Sequence, residues 1–302
     1  RFSFEPETRS SNLNSSLACS FGILKPFVLE KVPLVMMAVA SSAVTLFVQQ
    51  TAIVAVRTMD IPTRITNIFV SYGRYLWQML WPTGLALLYP RPNNPNYAAA
   101  AAAVLLIIVV TVIAIRTAAV RRYLIVGWFW YLITLVPVIG IVHVGMQSHA
   151  DRYTYIPLIG IFIVIAWAFA ELCEKYRRLK PVVAAITVLI LLSLGLWTAR
   201  TTTYWKNDVT IFERTTAATN NNIMMMINLG DAYLWRGHLD QAQATLEKAI
   251  ELCPVSDSYV VLAIVLRRKG QIAEAVQSYE KALELDPNQP LALLNAGILL
   301  HD

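Results

Sequence analysis

The sequence HADRYTYIPLIG, residues 149–160, places an acid and a base directly before a long uncharged apolar run. An arginine beside tyrosines at the end of such a run suits the boundary between lipid and water. Two interpretations stay open: the polar residues only anchor the end of a helix, or the arginine contacts an anionic group at headgroup depth. We interpret the histidine by itself as a solvated loop residue rather than a base. The candidate binding residues here are Gln147, His149, Asp151, Arg152, Tyr153 and Tyr155.

A second candidate cation, Arg74, lies within the apolar segment 64–90. Four aromatic residues lie near it in the sequence, and aromatics interleaved with a cation are typical of the membrane surface. The segment is therefore predicted to be an external helix that lies on, or re-enters, the membrane. A full crossing is the alternative, and it would reverse the orientation of the first span. The four aromatics are Tyr72, Tyr75, Trp77 and Trp81.

The chain that carries these candidates has the composition of a membrane protein. Of its 302 residues, 57% are hydrophobic and only 15% are charged, with a mean hydropathy of +0.53. Soluble domains are about 45–50% apolar and about 25% charged. The net charge of +6 does not indicate nucleic-acid binding, because the residues from 223 onward carry ten acids and six bases. The excess of basic residues belongs to the apolar part, where it sets orientation.

Little in the sequence points to metal, redox or nucleotide chemistry. The three cysteines are far apart and form no C-x-x-C pair, so we interpret them as isolated thiols and predict no metal site. The sequence also contains no Walker, G-x-S-x-G or H-E-x-x-H motif. A transporter is disfavoured, because the apolar runs contain no charges and show no inverted repeat.

Five uncharged apolar runs are long enough, at about 18 to 25 residues, to cross a bilayer as helices. They predict an all-α transmembrane bundle. Basic residues cluster in two of the connecting loops, which are therefore predicted to be cytoplasmic, together with residues 1–31. The loop 143–152 and everything after residue 199 would then lie outside, in a bacterial periplasm or in the lumen of the endoplasmic reticulum. The predicted spans are residues 32–56, 98–115, 123–142, 153–170 and 182–199.

A helical repeat with a period of about 33 residues follows a polar connection at 200–222. The predicted repeats are 223–255 and 256–289, and a third occupies 290–302 and is cut short. Small residues let the two helices of a hairpin approach, large ones fill the contact and proline ends the second helix, as in tetratricopeptide repeats. Such a solenoid predicts a protein or peptide ligand in a concave groove. The signature residues are Leu229, Gly230, Tyr233, Ala242, Ala249, Pro254, Leu262, Ala263, Gly270, Ala275, Tyr279, Ala282, Pro287 and Gly297.

The order of these features resembles the transmembrane-and-TPR protein family, which includes O-mannosyltransferases of the endoplasmic reticulum and many bacterial membrane proteins. The block ADRYTY, the segment YLWQMLWPTGLALLYP and the pair Arg200 and Trp205 carry the resemblance, which extends from about residue 30 onward. The family is similar to the C-type membrane glycosyltransferases, whose donor is a polyprenyl-phosphate sugar. By this resemblance Arg152 or Arg74 would bind the donor phosphate, and the neighbouring polar candidates would position the cation or touch the sugar.

The resemblance implies a glycosyltransferase that moves a hexose, mannose in the animal relatives, to Ser or Thr hydroxyls of a protein held by the repeats. It places the catalytic acid, a base or metal ligand, in an external loop that would precede Arg1, so the catalytic residue is unknown. A chain that starts at Arg1 rather than Met and ends within a repeat is expected to be a piece of a longer protein. The alternative function is a non-enzymatic, membrane-anchored scaffold for protein–protein interaction. Membrane lipid is a partner in either case.

Overall fold

A computed structural model describes residues 60–140 and 147–301, together with eight helical positions between residues 32 and 44. The predicted loop 1–31 and most of the predicted span 32–56 therefore lie outside the described residues. The chain divides into a unit of residues 1–57 and a unit of residues 58–302, and both long described stretches belong to the second unit. All regular structure in the described part is helical, which confirms the predicted all-α fold.

Five helices form the apolar half of the second unit. The Asp60 side chain caps the first of them by accepting from the backbone N–H of Thr63 at 3.3 Å. Proline stands in the first turn of three of the helices, where its missing N–H would have no helical partner in any case. The helices are α1 (Ile61–Leu80), α2 (Tyr97–Thr117), α3 (Arg122–Leu135), α4 (Pro157–Lys175) and α5 (Lys180–Thr202).

Three helical stretches are long and apolar enough to span a membrane: α2, α4 and the stretch Arg177–Lys206 that contains α5. They lie where the sequence predicts the spans 98–115, 153–170 and 182–199. Only 17% of the apolar window of α2, 11% of that of α4 and none of the third is buried within the protein. By length and composition, these helices could cross a bilayer.

The predicted span 123–142 is corrected by the structure, because its helix, α3, ends at Leu135 and is followed by turns up to Gly140. Pro137 cannot donate the backbone hydrogen bond that would continue the helix. Gly140 has a φ of +103°, which also lies outside the helical region. A helix of 14 residues is about 21 Å long, short of the roughly 30 Å of a hydrocarbon core.

The predicted surface segment 64–90 is helical only up to Leu80, and residues 81–96 are irregular. Two features explain the end of α1. Pro82 disfavours a helical conformation at the residue before it, and Gly84 has a φ of +68°. This irregular segment folds back over the bundle and supplies much of the candidate site described below.

The aromatic residues of α1 divide between the bundle core and the surface, which corrects the prediction that all four lie at the lipid–water boundary. Tyr72 and Tyr75 are buried, whereas Trp77 and Trp81 are 65% and 62% exposed. The hydroxyl of Tyr72 donates to the backbone carbonyl of Leu132 on α3 at 3.0 Å. Only the two tryptophans are therefore free to contact lipid or solvent.

The helices α3 and α4 approach each other closely where they cross at two glycines. A Cβ atom added to Gly127 would lie 2.3 Å from the carbonyl oxygen of Gly160, and one added to Gly160 would lie 2.3 Å from that of Gly127. The two backbones therefore touch directly. Small residues at helix crossings are typical of membrane bundles, where close packing replaces hydrophobic burial as the attraction.

The second half of the unit is a stack of helical hairpins that contains the repeats. The predicted connection 200–222 is itself largely helical, because α5 runs to Thr202, a short 3-10 turn follows, and α6 occupies most of the remainder. Leu234, Leu246 and Val265 are fully buried in the shared core of the first two repeats. The helices are α6 (Asp208–Ala218), α7 (Ile223–Trp235), α8 (Leu239–Leu252), α9 (Ser256–Arg268), α10 (Ile272–Leu285) and α11 (Pro290–His301).

The signature residues take several kinds of position in the stack. Leu229, Tyr233, Leu262 and Tyr279 are buried with the signature alanines, while Gly230 lies so close to α8 that an added Cβ would meet Leu246 at 2.6 Å. The signature prolines follow the ends of α8 and α10, and Gly297 lies on α11 with open space around it. The signature alanines and prolines are Ala242, Ala249, Ala263, Ala275, Ala282, Pro254 and Pro287.

Gly270 serves the turn between α9 and α10, not a close approach of two helices. It has a φ of +80°, and Gly237 has a φ of +78° at the matching position of the first repeat. No atom lies within 4 Å of an added Cβ at either glycine. Glycine is therefore favoured at both positions by its positive φ, a backbone conformation that other residues adopt only with strain.

Candidate functional site

Tyr89, which the sequence analysis did not select, is the centre of a buried polar cluster. Its hydroxyl donates to the carboxylate of Asp151, 3.0 Å from each oxygen. The same oxygen accepts from the side-chain amide of Gln78 at 3.0 Å and from the backbone N–H of Ala86 at 3.1 Å. One hydroxyl thus joins α1, the irregular segment and the loop before α4.

His149 lies inside this cluster, so the prediction that it is a solvated loop residue is wrong. Its side chain is only 2% exposed. The imidazole stacks on the ring of Tyr89, with 4.0 Å between ring centroids and 18° between planes, and meets the ring of Tyr75 edge-on. Two aromatic rings therefore hold it away from water.

The hydrogen bonds of His149 assign its neutral tautomer. The guanidinium of Arg74 lies 3.5 Å from Nε2, and because arginine can only donate, Nε2 must accept. Nδ1 then carries the proton and donates to the hydroxyl of Ser148 at 2.8 Å. Burial, helped by the positive charge of Arg74, lowers the pKa of His149 to about 3. The imidazole is therefore neutral near pH 7.

Burial has the opposite effect on the acidic members of the cluster, because it disfavours their charged forms. It raises the pKa of Asp151, although the hydrogen bond from Tyr89 partly offsets this. It also raises the pKa of Tyr75 to about 12, and Tyr75 accepts from the backbone N–H of Ala150 at 3.2 Å. The cluster thus holds a buried carboxyl group against neutral hydroxyls.

A cleft of about 500 Å³ opens beside this cluster, between α1, the irregular segment and the end of α6. Arg74 and Arg91 both line it, and no Asp or Glu belongs to its lining among the described residues. Amide and hydroxyl groups supply most of the other polar atoms. Two guanidinium groups with several neutral donors can bind an anion that also carries hydroxyl groups. The amide side chains at the cleft are Asn67, Gln78, Asn96 and Asn220.

The predicted candidates from the loop divide into two groups. His149 and Asp151 lie in the buried cluster beside Arg74. Gln147, Arg152 and Tyr153 form a second group: the Gln147 amide donates to the Tyr153 hydroxyl at 2.8 Å and accepts from Arg152 at 3.2 Å. The guanidinium of Arg152 also lies 5.3 Å from the centre of the Tyr153 ring.

Gln147, Arg152 and Tyr153, which we call the outer group, do not line the cleft, and Tyr155 is 77% exposed. Arg74 rather than Arg152 is therefore the predicted cation that reaches the cleft. Arg91 and Tyr89 were missed by the sequence analysis, and Tyr89 had a signal, since it lies in the segment that carries the family resemblance. Arg91 had none, because an arginine after a proline in a polar stretch is common.

The irregular segment of the cleft is bonded directly to the hairpin stack. The backbone N–H of Leu87 donates to the Thr215 hydroxyl at 3.2 Å, and the Asn222 amide donates to the carbonyl of Leu88 at 2.9 Å. Asn222 also caps α7, since its side-chain oxygen accepts from the N–H of Met225 at 3.4 Å. The repeats are thus attached next to the cleft rather than only tethered through α5.

The first helices of the two repeats, α7 and α9, share an exposed aromatic–cation pair. Trp235 is 70% exposed, and the guanidinium of Arg268 lies 5.3 Å from the centre of its ring. Arg268 also donates to the backbone carbonyl of Leu234 at 3.1 Å, which links the two repeats. An exposed tryptophan with a fixed neighbour is a typical anchor for a protein partner.

The part of the chain that the structure describes contains no group of three or more His, Cys, Asp or Glu side chains that could hold a metal ion. Of the residues so described, Cys173 is half-buried and Cys253 is exposed, and both are free thiols. The chemistry that these residues supply is therefore binding through arginines, amides, hydroxyls and aromatic rings.

Two comparisons with known proteins identify the hairpin stack. Residues 225–255 match the profile of the tetratricopeptide repeat, and residues 265–302 match a further TPR repeat profile. The type IV pilus assembly protein PilF of Pseudomonas aeruginosa is 38% identical over 77 residues, which are 25% of this chain and 31% of that protein. The BBSome complex member BBS4 of Bos taurus is 32% identical over 72 residues, which are 24% of this chain and 14% of that protein.

These matches cover about a third or less of each relative, so they concern a part of the chain and not its whole architecture. They confirm the predicted repeats. The chain therefore combines helices that could span a membrane with a carboxy-terminal stack of tetratricopeptide repeats.

Proposed function

We propose that the protein is a membrane-anchored scaffold that holds a segment of another protein on its tetratricopeptide repeats. The repeat stack itself carries the proposal, because such stacks present concave surfaces that bind proteins and peptides. By their names, one relative is an assembly protein of a pilus and the other a member of a complex, which supports a role in assembly. This is the alternative function that the sequence predicts.

The face around Trp235 and Arg268 is the contact surface that we propose. Interface hot spots are rich in tryptophan and arginine, and a ring held by a neighbouring guanidinium loses little side-chain entropy on binding. The hydrogen bonds that join Thr215 and Asn222 to the irregular segment would keep this face at a constant position beside the bundle. A bound partner would therefore be presented to the same region of the membrane protein each time.

A photo-reactive amino acid placed at Trp235 of the full-length protein in its native membrane tests the scaffold. We expect a cross-linked product of one discrete mass, because a partner on the proposed face would lie within reach. The matched control places the same group at Glu280, which is exposed on the second helix of a repeat. Equal cross-linking at both positions, or none at Trp235, would refute the proposed contact face.

We propose sugar transfer from a polyprenyl-phosphate donor as a second candidate function. It rests on the cleft, in which Arg74 and Arg91 face neutral amides with no carboxylate in the lining. That combination suits a phosphate joined to a sugar, since guanidinium groups bind the phosphate and amides bind hydroxyls. The acceptor would be a Ser or Thr hydroxyl of the protein held by the repeats.

This second function is tested by measuring hexose transfer with the full-length protein. The donor is a polyprenyl-phosphate hexose and the acceptor contains Ser or Thr. We expect Arg74→Ala to reduce transfer strongly, and Arg152→Ala to reduce it only if the outer group also contacts the donor. Arg200→Ala, which changes an exposed arginine that does not line the cleft, serves as the control. If the wild-type protein transfers no sugar with divalent metal supplied, the scaffold alone remains.

A further inference from the structure

One end of the apolar bundle, distant from the cleft, carries a dense positive charge. Since α3 and α4 pack as antiparallel neighbours, the start of α3 lies beside the end of α4. This end of the bundle therefore also contains the end of α2, the α2–α3 loop and the start of α5. Arg121, before α3, donates to Glu171 near the end of α4 at 2.9 Å, which fixes the two loops at the same level. We call this region the basic end.

Seven basic residues make up the basic end, and every one of them is exposed. Within the described residues 116–122 and 171–180, the only carboxylates are those of Glu171 and Glu174. Glu171 already binds Arg121 and the hydroxyl of Tyr123 at 2.8 Å. The opposite ends of α3 and α4 are different: the described residues 136–140 and 147–156 contain one acid and one arginine. The seven residues are Arg116, Arg121, Arg122, Lys175, Arg177, Arg178 and Lys180.

Apolar and aromatic side chains are exposed at the same level as these cations. Val120 is 87% exposed, Tyr176 is 47% exposed and Leu179 is 43% exposed. The ammonium of Lys175 lies 5.4 Å from the centre of the Tyr176 ring. Side chains of this kind place an apolar body in the acyl region while the charged group reaches the headgroups.

We propose that the basic end binds the headgroups of anionic phospholipids and prefers a bilayer leaflet that contains them. The charge complementarity is direct, since arginine donates in pairs to phosphate oxygens. The cations also continue without interruption into the exposed apolar surfaces of α2, α4 and α5, and a soluble anion or a nucleic acid would leave those surfaces uncovered. A phospholipid satisfies both parts of the surface at once. The proposal is independent of what the repeats or the cleft bind.

The proposal is tested by native mass spectrometry of the full chain. The protein is held in mixed micelles that contain equal amounts of phosphatidylglycerol and phosphatidylcholine. We expect the wild-type protein to retain phosphatidylglycerol preferentially, and this preference to weaken as salt is added. A variant that removes four cations of the basic end should lose the preference at least tenfold, since each cation near an anionic surface contributes a factor of about five. Its substitutions are Arg116→Gln, Arg122→Gln, Arg177→Gln and Arg178→Gln.

The matched control removes the same number of charges elsewhere and should keep the preference. It carries Arg200→Gln, Lys206→Gln, Lys248→Gln and Lys281→Gln, all at exposed positions. If the fourfold variant does not fold, the double variant Arg177→Gln, Arg178→Gln replaces it, because it leaves the loop before α3 intact.

Three results would overturn the proposal. In the first, the wild-type protein retains both lipids equally. In the second, the folded variant keeps the preference, or the control loses it as far as the variant does. In the third, soluble glycerol phosphate competes as well as phosphatidylglycerol, which would assign the basic end to a free anion and not to a lipid surface.

Discussion

The hydroxyl of Tyr89 is hydrogen-bonded to Asp151, Gln78 and the backbone of Ala86 in a place with little access to water. It satisfies the buried carboxylate of Asp151 and the amide of Gln78 together, and a buried polar group without a partner is costly. The ring of the same residue covers the imidazole of His149. One side chain therefore provides both the polar and the apolar contacts on which the site depends.

Tyr89→Phe should destabilise the folded protein by about 1–3 kcal/mol, because the buried Asp151 carboxyl and the Gln78 amide each lose a hydrogen bond. Thermal unfolding of the full chain in detergent, followed by circular dichroism, measures the loss. Tyr155→Phe changes a tyrosine that is 77% exposed and should leave the unfolding midpoint in place. An equal effect of the two substitutions would contradict the central position of Tyr89.

His149 should make the folded protein less stable as the pH falls. Its pKa is about 3 when folded and 6.5 in an unfolded chain, so between these values only the unfolded state binds the proton. Stability is therefore fully present above pH 6.5 and decreases towards pH 3. Between about pH 7.5 and pH 5 the loss from this group is about 2 kcal/mol.

Comparison with His149→Gln isolates this contribution, because glutamine keeps a polar side chain and does not titrate. The wild-type protein should lose more stability than the variant over that range. The raised pKa of Asp151 has the opposite effect on stability, which it increases as the pH falls. This effect is common to both proteins, because both contain Asp151, Arg74, Tyr75 and Tyr89. Parallel pH profiles for the two proteins would show that His149 is not held neutral.

At the scale of elements, the α3–α4 crossing decides how the bundle packs. Gly127 and Gly160 lie so close that a Cβ atom added to either one would be 2.3 Å from the carbonyl oxygen of the other. No hydrophobic gain draws helices together inside a bilayer, so direct backbone packing is a principal source of their association. The site depends on this crossing, because α4 follows the loop that supplies His149 and Asp151.

Gly160→Ala should separate α3 from α4 and destabilise the bundle by about 1–3 kcal/mol, since the new methyl group would overlap the Gly127 carbonyl. Gly195→Ala is the control, because α5 has open space at that position and alanine should be neutral or stabilising there by up to about 1 kcal/mol. Detergent unfolding midpoints compare them. A Gly160→Ala protein as stable as Gly195→Ala would mean that the helices do not pack at these glycines.

Elements with one strong local signal could be predicted from the sequence. The apolar runs of α2, α4 and α5 and the period of the repeats are local properties of the chain. The length of α3 could not be obtained in this way. The apolar sequence continues past Pro137, but the helix ends at Leu135. The helix in the predicted connection 200–222 was also missed, since α6 is polar in sequence and its stability comes from packing on α7.

At the scale of the whole molecule, the attachment of the repeats beside the cleft is the notable arrangement. Asn222 is 2% exposed and serves the cap of α7, the carbonyl of Leu88 and the hydroxyl of Thr219 at once. The indole of Trp197 on α5 adds a further bond, to the carbonyl of Pro82 at 2.8 Å. The irregular segment is thereby held from both the bundle and the repeats.

Asn222→Ala should loosen the attachment without unfolding the repeats. We expect faster amide hydrogen exchange at residues 81–91 and in the first turn of α7, where a cap is lost, and unchanged exchange in α9 and α10. Asn228→Ala, on the half-buried surface of α7, is the control. Faster exchange throughout the stack would show that Asn222 stabilises the repeats and not the attachment.

The predicted orientation can be tested with single cysteines in a background that lacks Cys19, Cys173 and Cys253. A cysteine at Glu247 in the repeats should react with an impermeant reagent in intact cells or sealed vesicles. One at Arg178 in the basic end should react only after permeabilisation, because basic loops remain cytoplasmic. The reverse pattern would place the repeats in the cytoplasm.

The sequence by itself determined the class of the molecule: apolar runs long enough to cross a membrane, and a repeat whose spacing defines a helical stack. Both are local patterns, so neither needs a long-range contact to be recognised. Only the tertiary structure decided which polar residues meet. Tyr89 and Asp151 are 62 residues apart in the chain, and their contact depends on how the irregular segment after Pro82 folds over the bundle. For the same reason Arg74 reaches the cleft and Arg152, next to Asp151 in the sequence, does not.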